Sequence, residues 1–242
     1  MTAASPLFSL EQVTLAHDPS APVLREVNFA LHPGERIGLY GPNGCGKTTL
    51  LRCIVGLHRP TRGVVRFQGR ELHKDADFHP LRCAVGFVLQ NAEDQLFFPT
   101  VLEDVAFGPL NLGLAPDDAR ERALATLDRL GLHGFADRLT HALSGGEKKL
   151  VSLAGVLAMQ PQALLLDEPT NTLDMDARQR LLDILNDLPT ARITVSHDWD
   201  FLCGVSSRFL TIRDARLIDD APSLAHTHRH AHPLGNEPHV HE

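Results

Sequence analysis

A glycine-rich stretch that joins an apolar run to a potential helix constrains the fold of this chain more than any other feature. Residues 41–49 read Gly-Pro-Asn-Gly-Cys-Gly-Lys-Thr-Thr and fit the phosphate-loop pattern G-x-x-x-x-G-K-[ST]. The run at 36–40 before it is typical of a buried strand, and residues 48–55 after it are typical of the start of a helix. Because the pattern requires this strand–loop–helix order, it predicts a phosphate-binding loop.

The residues of this loop explain how it would hold phosphate. Its glycines let backbone N–H groups turn towards an anion, and the N-terminus of the following helix adds its dipole. We expect Lys47 to reach the β- and γ-phosphates of a nucleotide, and the Thr48 hydroxyl to bind Mg²⁺. The loop residues predicted to contact nucleotide are Gly41, Pro42, Asn43, Gly44, Cys45, Gly46, Lys47, Thr48 and Thr49.

Length, charge and cysteine content limit the class of protein. The 242 residues suffice for one α/β domain, with or without a small appended subdomain. The net charge of −7 argues against nucleic acid as the main partner. The cysteines show no paired metal-ligand spacing, so we expect reduced thiols in a cytosolic protein. No run approaches 18 apolar residues and no signal pattern opens the chain, so another chain would supply any membrane-spanning part.

Strand-like and helix-like segments alternate along most of the chain, which predicts a mostly parallel sheet covered by helices. Around the phosphate loop, short strands are predicted at 7–10, 12–15, 23–31 and 63–69, the last returning to the N-terminal sheet. Apolar strands are predicted at 84–89, 163–168 and 192–195, and a hairpin at 208–218. Helices are predicted at 116–130, 148–159 and 177–188, and a further helix could begin at residues 99–100.

Polar residues follow three of the apolar strands, at the edge where parallel sheets bind their ligands. Asp167 is expected to bind Mg²⁺ directly or to hold a ligand of that ion. Glu168 is expected to accept a proton from the water that attacks the γ-phosphate, or to orient that water. His197 could hydrogen-bond the γ-phosphate or that water, and Gln90 could reach the metal or the water. Each could also be an ordinary residue at the end of a strand.

A second glycine turn, Leu-Ser-Gly-Gly-Glu at 143–147, precedes another predicted helix. Its backbone N–H groups can bind phosphate by the same physics as the first loop. Because the turn lies far along the chain, it would either fold back on the first site or complete a site in a second copy of the protein.

These motifs, in this order, resemble the ATP-binding-cassette (ABC) ATPases over residues 7 to about 218. The matching stretches are 41–48, Gln90, 143–147, 164–168, 172–174 and His197, and the Leu-Ser-Gly-Gly-Glu turn separates the family from other phosphate-loop proteins. The resemblance implies an α/β, RecA-like P-loop NTPase core with an N-terminal antiparallel β subdomain and an inserted α-helical subdomain at about 91–150. The nucleotide-binding domain would span 1–220.

The resemblance also implies a dimer, of two identical or paralogous copies, with each ATP between the phosphate loop of one copy and the glycine turn of the other. Ser144, Gly145 and Gly146 would then contact the γ-phosphate across the dimer, with Glu147 in the same turn, and Asp174 would belong to a loop linking the two sites. Glu168 would be the general base, His197 the switch histidine, and ATP and Mg²⁺ the cofactors, the metal being held by Thr48, Gln90 and Asp167.

Residues 88–97 and 103–113, supported by 145–159, are similar to energy-coupling-factor transporters and closest to their cobalt/nickel branch. The resemblance implies a transmembrane coupling protein and a substrate-capturing membrane protein as partners, at the cytoplasmic face of the cell membrane, and no nucleic acid. Three alternatives stay open: an importer of a vitamin such as biotin, a soluble ABC ATPase acting on DNA or the ribosome, and a metal-storing or metal-sensing protein. The DNA and ribosome class typically has two cassettes or a long insertion, whereas Lys47 and Asp167 are only 167 − 47 = 120 residues apart.

Two regions depart from the family or extend beyond it. His17 takes the place where the family usually stacks an aromatic ring on adenine, so we expect weaker or pH-sensitive nucleotide affinity; by itself it would be read as a surface histidine. Residues 221–242 form a tail that we expect to be disordered, because it has almost no apolar residues. Six histidines there could bind Ni²⁺, Co²⁺, Zn²⁺ or Cu²⁺, or simply be solvated: His226, His228, His230, His232, His239 and His241.

Overall fold

The computed structural model describes residues 5–16 and 21–220. Their strands form two sheets of different kinds. The strands are β1 (Phe8–Leu15), β2 (Leu24–Leu31), β3 (Arg36–Tyr40), β4 (Arg62–Phe67), β5 (Arg70–Leu72), β6 (Val85–Val88), β7 (Ala163–Asp167), β8 (Ala191–Val195), β9 (Arg208–Arg213) and β10 (Arg216–Asp220). The helices are α1 (Lys47–Ile54), α2 (His79–Ala84), α3 (Val101–Asn111), α4 (Pro116–Arg129), α5 (Gly145–Ala158), α6 (Met175–Asp187) and α7 (Trp199–Val205).

The first sheet is antiparallel, in the order β2-β1-β4-β5. Sequence analysis predicted separate strands at 7–10 and 12–15, but β1 runs unbroken over both. Gln12, the first residue of the second predicted strand, has φ 52°, and the pairing with β2 shifts register between Leu10 and Val13, so the apparent gap is a bulge within one strand. The Asn28 side-chain oxygen accepts from Gln12 N–H at 3.0 Å. The predicted return of the 63–69 strand to this sheet is confirmed, because β4 pairs with β1.

The second sheet has the order β10-β9-β3-β8-β7-β6, and all its pairs except β10–β9 are parallel. Every residue of β7 and β8 is buried, which accounts for the apolar run Ala163–Leu166 in β7, whereas β8 also buries Arg192 and Thr194. The hairpin predicted at 208–218 is confirmed: β9 and β10 are joined through Asp214 and Ala215, both at positive φ as tight hairpin turns require.

Two hydrophobic clusters divide the interior. One lies between the antiparallel sheet, α1 and the second sheet; the other joins β6 and β7 to α3, α4, α5 and α6. The expected α/β fold class, with a mostly parallel sheet and an N-terminal antiparallel sheet, is confirmed. In the second cluster α3 packs on both α4 and α5, and α5 continues to Ala158 along β6. No helix within the described ranges is long and apolar enough to cross a lipid bilayer.

Three short elements were missed by the sequence analysis: β5, α2 and α7. Each is too short for its hydrophobic period to repeat clearly, and α7 is stabilised by a cap, since Asp198 Oδ1 accepts from Phe201 N–H at 2.9 Å. Helix α6 starts two residues before the predicted position because Asp174 caps it by accepting from Ala177 N–H at 2.8 Å.

All four cysteines, Cys45, Cys53, Cys83 and Cys203, are free, and burial raises the pKa of Cys53 to about 12.

Candidate functional site

The candidate site forms where four adjacent parallel strands end. Strands β3, β8, β7 and β6 are neighbours in the sheet, so the phosphate loop, His197, the Asp167–Glu168 pair and Gln90 follow one another along the same edge. They surround a cavity of about 200 Å³, which is lined by Asn43, Gly44, Gly46, Lys47, Thr48, Thr49, Gln90, Asp167, Glu168, Val195 and His197. The sheet therefore brings together residues that are up to 154 positions apart in the chain, since 197 − 43 = 154.

The phosphate loop depends on backbone conformations that only glycine adopts readily. Gly41 has φ 143° and Gly46 has φ 110°, and a Cβ at Gly46 would lie 3.0 Å from Cγ1 of Val23. Gly46 is the N-cap of α1, and no side chain caps this helix end. The first N–H groups of α1 thus face the cavity without a side-chain acceptor, an arrangement suited to an anion.

Lys47 is buried, and its ammonium arches back over the loop. Its Nζ donates to the carbonyl oxygens of Gly41 at 2.7 Å and Pro42 at 2.9 Å. The loop therefore presents a fixed positive charge beside the free N–H groups of α1, and this combination attracts the negative charge of a phosphate chain.

Asp167 ends β7 with its carboxylate almost fully buried. Burial raises its pKa; a hydrogen bond from the Thr48 hydroxyl and the charges of Lys149, Arg52 and Lys47 oppose that rise. The carboxylate of Asp167, the hydroxyl of Thr48 and the Gln90 amide at the cavity wall are oxygen donors of the kind that Mg²⁺ prefers.

Glu168 leaves the strand in a left-handed conformation, φ 48°, and lines the same cavity as Asp167. Its N–H donates to Val195 O at 2.9 Å, and its carboxylate Oε2 accepts from His197 N–H at 3.2 Å. Burial raises the pKa of Glu168, and the bond from the His197 N–H opposes the rise. Its other oxygen, Oε1, is buried without a hydrogen bond among the described residues, although the His197 Nε2 atom is 3.4 Å away.

His197 and Gln90 present exposed side chains at the cavity. The His197 side chain is 53% exposed. Asp198, directly after it, receives two hydrogen bonds from Arg178 of α6, at 2.5 and 2.8 Å, which hold the pKa of Asp198 below its usual range. The loop that carries His197 is thereby tied to α6.

The glycine turn at 143–147 does not line this cavity of its own chain. Ser144 caps α5, and its N–H donates to the Glu147 carboxylate at 2.8 Å while its hydroxyl accepts from Glu147 N–H at 3.2 Å. Arg138 also donates to that carboxylate at 3.0 Å. Glu147 therefore shapes the turn itself, whereas Ser144 and Gly145 remain exposed.

The loop before α6 packs beneath this turn. A Cβ at Gly145 would lie 3.5 Å from Thr172, and one at Gly146 would lie 3.6 Å from Leu173. Thr172 itself has φ 71°, an uncommon conformation for a β-branched residue. The Asp174 side chain caps α6, and neither this loop nor the glycine turn packed against it lines the cavity.

His17 and the histidines of the tail, His226, His228, His230, His232, His239 and His241, lie outside the described residues. Their predicted contacts with adenine and with transition-metal ions therefore remain predictions.

Sequence reasoning missed Lys149. The residue is only 3% exposed, and its ammonium donates to the carbonyl oxygens of Leu89 and Gln90, both at 2.8 Å. Burial lowers the pKa of Lys149 to about 8, while the charges of Asp167 and Glu168 oppose that change. The only signal in the sequence was a lysine at a helix position that its apolar neighbours make inward-facing.

Comparison with known proteins decides the family. Residues 24–171 match the family described as ABC transporter. The chain belongs to the ABC transporter family. It is an ATP-binding subunit, and ABC ATPases of this kind hydrolyse ATP to drive transport.

Several relatives of this ABC ATPase span almost its full length. A protein of Nitratidesulfovibrio vulgaris is 53% identical over 241 residues, covering 99% of this chain and 88% of the relative; its name assigns it to ABC transporter ATP-binding proteins and gives no substrate. The energy-coupling factor transporter ATP-binding protein EcfA of Methanothermobacter thermautotrophicus is 40% identical, covering 90% and 71%. The cobalt import ATP-binding protein CbiO of Rhodobacter capsulatus is 40% identical, covering 91% and 80%.

Solved structures of similar fold include cbiO1 of Clostridium perfringens, described as part of the ABC transporter complex cbiONQ. It has a TM-score of 0.79 and 31% identity, and the match covers 88% of this chain and 87% of that one. A dimeric bacterial ABC transporter cassette has a TM-score of 0.80 and 27% identity, covering 87% and 96%. The resemblance to ABC ATPases drawn from the sequence is thus confirmed.

Proposed function

We propose that this ABC ATPase hydrolyses ATP with Glu168 as the general base and thereby energises an energy-coupling-factor importer of cobalt or nickel ions. The observation that carries the hydrolytic part is the Glu168 carboxylate. One of its oxygens is fixed by the His197 N–H, and the other is buried at the cavity without a hydrogen bond among the described residues. A buried acceptor with a raised pKa is suited to taking a proton from water.

The phosphate loop would hold the nucleotide. The N–H groups at the start of α1 would meet the phosphate oxygens, Lys47 would exchange its carbonyl partners for the β- and γ-phosphates, and Thr49 lines the same wall. His197 projects into the cavity and would hydrogen-bond the γ-phosphate. His17, if it stacks on adenine, would set the affinity for the base.

Mg²⁺ fits the donor set on the other wall. Thr48 and Asp167 are already hydrogen-bonded to each other, and Gln90 lines the same cavity, so their oxygens are available together. When bound, Mg²⁺ would neutralise charge on the phosphate oxygens. The role of the protein is to keep Asp167 ionised despite burial, which the nearby charges of Lys149, Arg52 and Lys47 favour.

A second cassette would complete the site. The exposed Ser144–Gly145 turn does not line its own chain's cavity, and a related cassette is described as dimeric. We propose that Ser144, Gly145 and Gly146 contact the γ-phosphate bound to the partner copy. The loop at 171–174, packed against the turn, would link the two sites through Asp174.

Exposed apolar side chains just before α3 and in its second half support docking to a membrane protein. Phe97, Phe107 and Leu110 are 74%, 42% and 43% exposed, and the Phe107 ring lies 5.0 Å from that of Phe98. Single exposed apolar side chains are common, but a group of them gathered near one helix is typical of a protein interaction site. We propose that a transmembrane coupling protein covers them, with a separate substrate-capturing membrane protein, and that the ATPase sits at the cytoplasmic face of the membrane.

Cobalt and nickel are proposed from the names of the relatives and from the histidine tail. A CbiO protein and an EcfA protein are both 40% identical to this chain. The tail would bind Cu²⁺ or Zn²⁺ at least as tightly as Co²⁺, so it would not select the ion by itself. Import of a vitamin such as biotin is the second candidate, supported by the EcfA relative, whose name specifies no ion.

The test compares cell-associated cobalt and nickel in a strain whose only copy is the wild-type gene or its Glu168→Gln variant. Glu26→Gln, which removes an exposed carboxylate from the antiparallel sheet, is the matched control. If the Glu168→Gln strain accumulates less of one metal while the Glu26→Gln strain accumulates as much as the wild type, the importer is supported and the ion is identified. Equal accumulation of both metals in all strains rejects the metal assignment, and uptake of labelled biotin is measured next.

A further inference from the structure

The loop that follows β6 is held to α5 at two points. Lys149 donates to the carbonyl oxygens of Leu89 and Gln90, both at 2.8 Å. Three residues further along α5, the Ser152 hydroxyl donates to Gln95 Oε1 at 2.7 Å. Residues three apart lie on the same face of a helix, so both side chains reach the same loop.

Gln95 continues the backbone pairing of β6 with its side chain. Its Oε1 accepts from Leu89 N–H at 2.7 Å, and its Nε2 donates to Phe87 O at 3.0 Å. The segment from Phe87 to Gln90 is thus fixed on the Gln95 side by an amide and on the α5 side by an ammonium. Leu89 contributes both its N–H and its carbonyl to these contacts.

The Gln90 side chain, by contrast, is exposed at the cavity and hydrogen-bonds to no other residue in the described ranges. Its position relative to Asp167 and Glu168 therefore depends on where its own backbone is held. Lys149 holds the Gln90 carbonyl directly and is buried, so no water competes for that contact.

We propose that Lys149 is a positioning residue for ATP hydrolysis, which fixes the Gln90 side chain at the cavity by binding the Leu89 and Gln90 carbonyls. Helix α5 begins at Gly145, so the same helix carries both Lys149 and the glycine turn proposed to meet the partner's ATP. The position of Gln90 thus follows that of the helix bearing the turn. This inference rests on the proposed roles of Gln90 and the turn.

The experiment is a double-mutant cycle on the purified full-length ATPase, with Lys149→Met, Gln90→Ala and the combined variant. Steady-state ATP hydrolysis gives kcat, and equilibrium titration with ATP in the absence of turnover gives Kd. A displaced side chain at a reacting centre lowers the rate much more than the affinity, so we expect Lys149→Met to lower kcat about 10- to 100-fold while Kd changes less than about threefold.

The combined variant separates positioning from general loosening. If Lys149 acts through Gln90, adding Lys149→Met to Gln90→Ala lowers kcat by less than about twofold further. If the decrease in kcat of the combined variant equals the product of the decreases of the two single variants, the inference is wrong. Lys149→Gln, which keeps one donor, is carried through the same cycle, so that poor folding of the methionine variant does not decide the result.

Lys148→Met is the matched control. It removes the same charge from the adjacent position, where the Lys148 ammonium pairs with the exposed Glu93 carboxylate, and we expect wild-type kcat. Equal kcat in the Lys148 and Lys149 variants would overturn the inference while leaving the proposed function intact. Absence of ATP hydrolysis in the wild-type protein would instead reject the proposed hydrolytic mechanism.

Discussion

The backbone N–H of His197 donates a 3.2 Å hydrogen bond to Oε2 of Glu168, and Oε1 of that carboxylate lies 3.4 Å from the His197 Nε2 atom. The contact exists because β7 and β8 are paired in parallel with Asp167 opposite Val195, so the residues that follow the two strands leave the sheet edge side by side. It orients a buried carboxylate without neutralising it.

Glu168→Gln should abolish most turnover while leaving nucleotide binding intact. The amide oxygen can still accept from the His197 N–H, but it cannot take a proton, so kcat should fall about 100- to 10,000-fold. Phosphate release measures turnover, and equilibrium ATP titration measures binding. A loss of less than about tenfold would show that another group is the base.

Gly145→Ala should separate the glycine turn from folding. The added Cβ would lie 3.5 Å from the nearest side-chain atom, an ordinary contact, and alanine is favourable at the first turn of a helix. The midpoint of urea unfolding should therefore stay near that of the wild type. We expect ATP-dependent dimerisation, followed by light scattering, and hydrolysis to be lost, because the exposed turn would no longer approach phosphate closely. Normal dimerisation would contradict the shared site.

Asp198→Asn should lower the free energy of unfolding by about 1–3 kcal/mol at pH 7, because it breaks a two-bond contact with Arg178. The folded-state pKa of Asp198 is lowered, so its stabilisation is complete above the unfolded value and is lost as the pH falls through the folded value. Urea unfolding at several pH values should show a constant difference above about pH 5 that narrows below about pH 4.

Asp183→Asn is the control for that measurement, since this exposed carboxylate on α6 accepts a hydrogen bond from the neutral Gln179 amide. It should change the unfolding free energy by less than about 0.5 kcal/mol at every pH. If both variants behave alike, the Arg178–Asp198 contact contributes nothing measurable.

Arg192→Met should destabilise the fold. The guanidinium is fully buried and donates to Val205 O at 2.9 and 3.1 Å and to Leu188 O at 3.4 Å, at the ends of α7 and α6. Removing it leaves buried carbonyl oxygens without donors, at a cost of about 1–3 kcal/mol in unfolding free energy. Arg192→Lys should recover only part of that loss, because one ammonium cannot reach both helix ends. Unfolding curves unchanged by either substitution would contradict this.

His17→Tyr should strengthen ATP binding and remove its dependence on pH near neutrality. A phenol covers more of the adenine ring than an imidazole and stays neutral there, whereas histidine titrates in this range. ATP titrations between pH 6 and pH 8 on both proteins measure the effect. Equal affinities at every pH would show that residue 17 does not contact the base.

The sequence alone predicted the parts of the molecule that local pattern controls. Residues 41–49 impose a loop between a strand and a helix through their glycines, and unbroken apolar runs mark the central strands. Because parallel strands end at one edge, Gln90, the Asp167–Glu168 pair and His197 could be expected together, and the structure brings them to one cavity. These features depend on nearest neighbours and on the geometry of any parallel sheet.

Only the tertiary structure decided which side chains hold that cavity in place. Lys149 meets the Gln90 carbonyl across 59 residues, Arg178 meets Asp198 across 20, and Arg192 meets Val205 across 13. No periodicity in the chain encodes these pairs, because each depends on the rotation of a helix against a neighbouring loop or strand. Buried charges must find partners wherever packing places them, so their contacts are fixed by the assembled core.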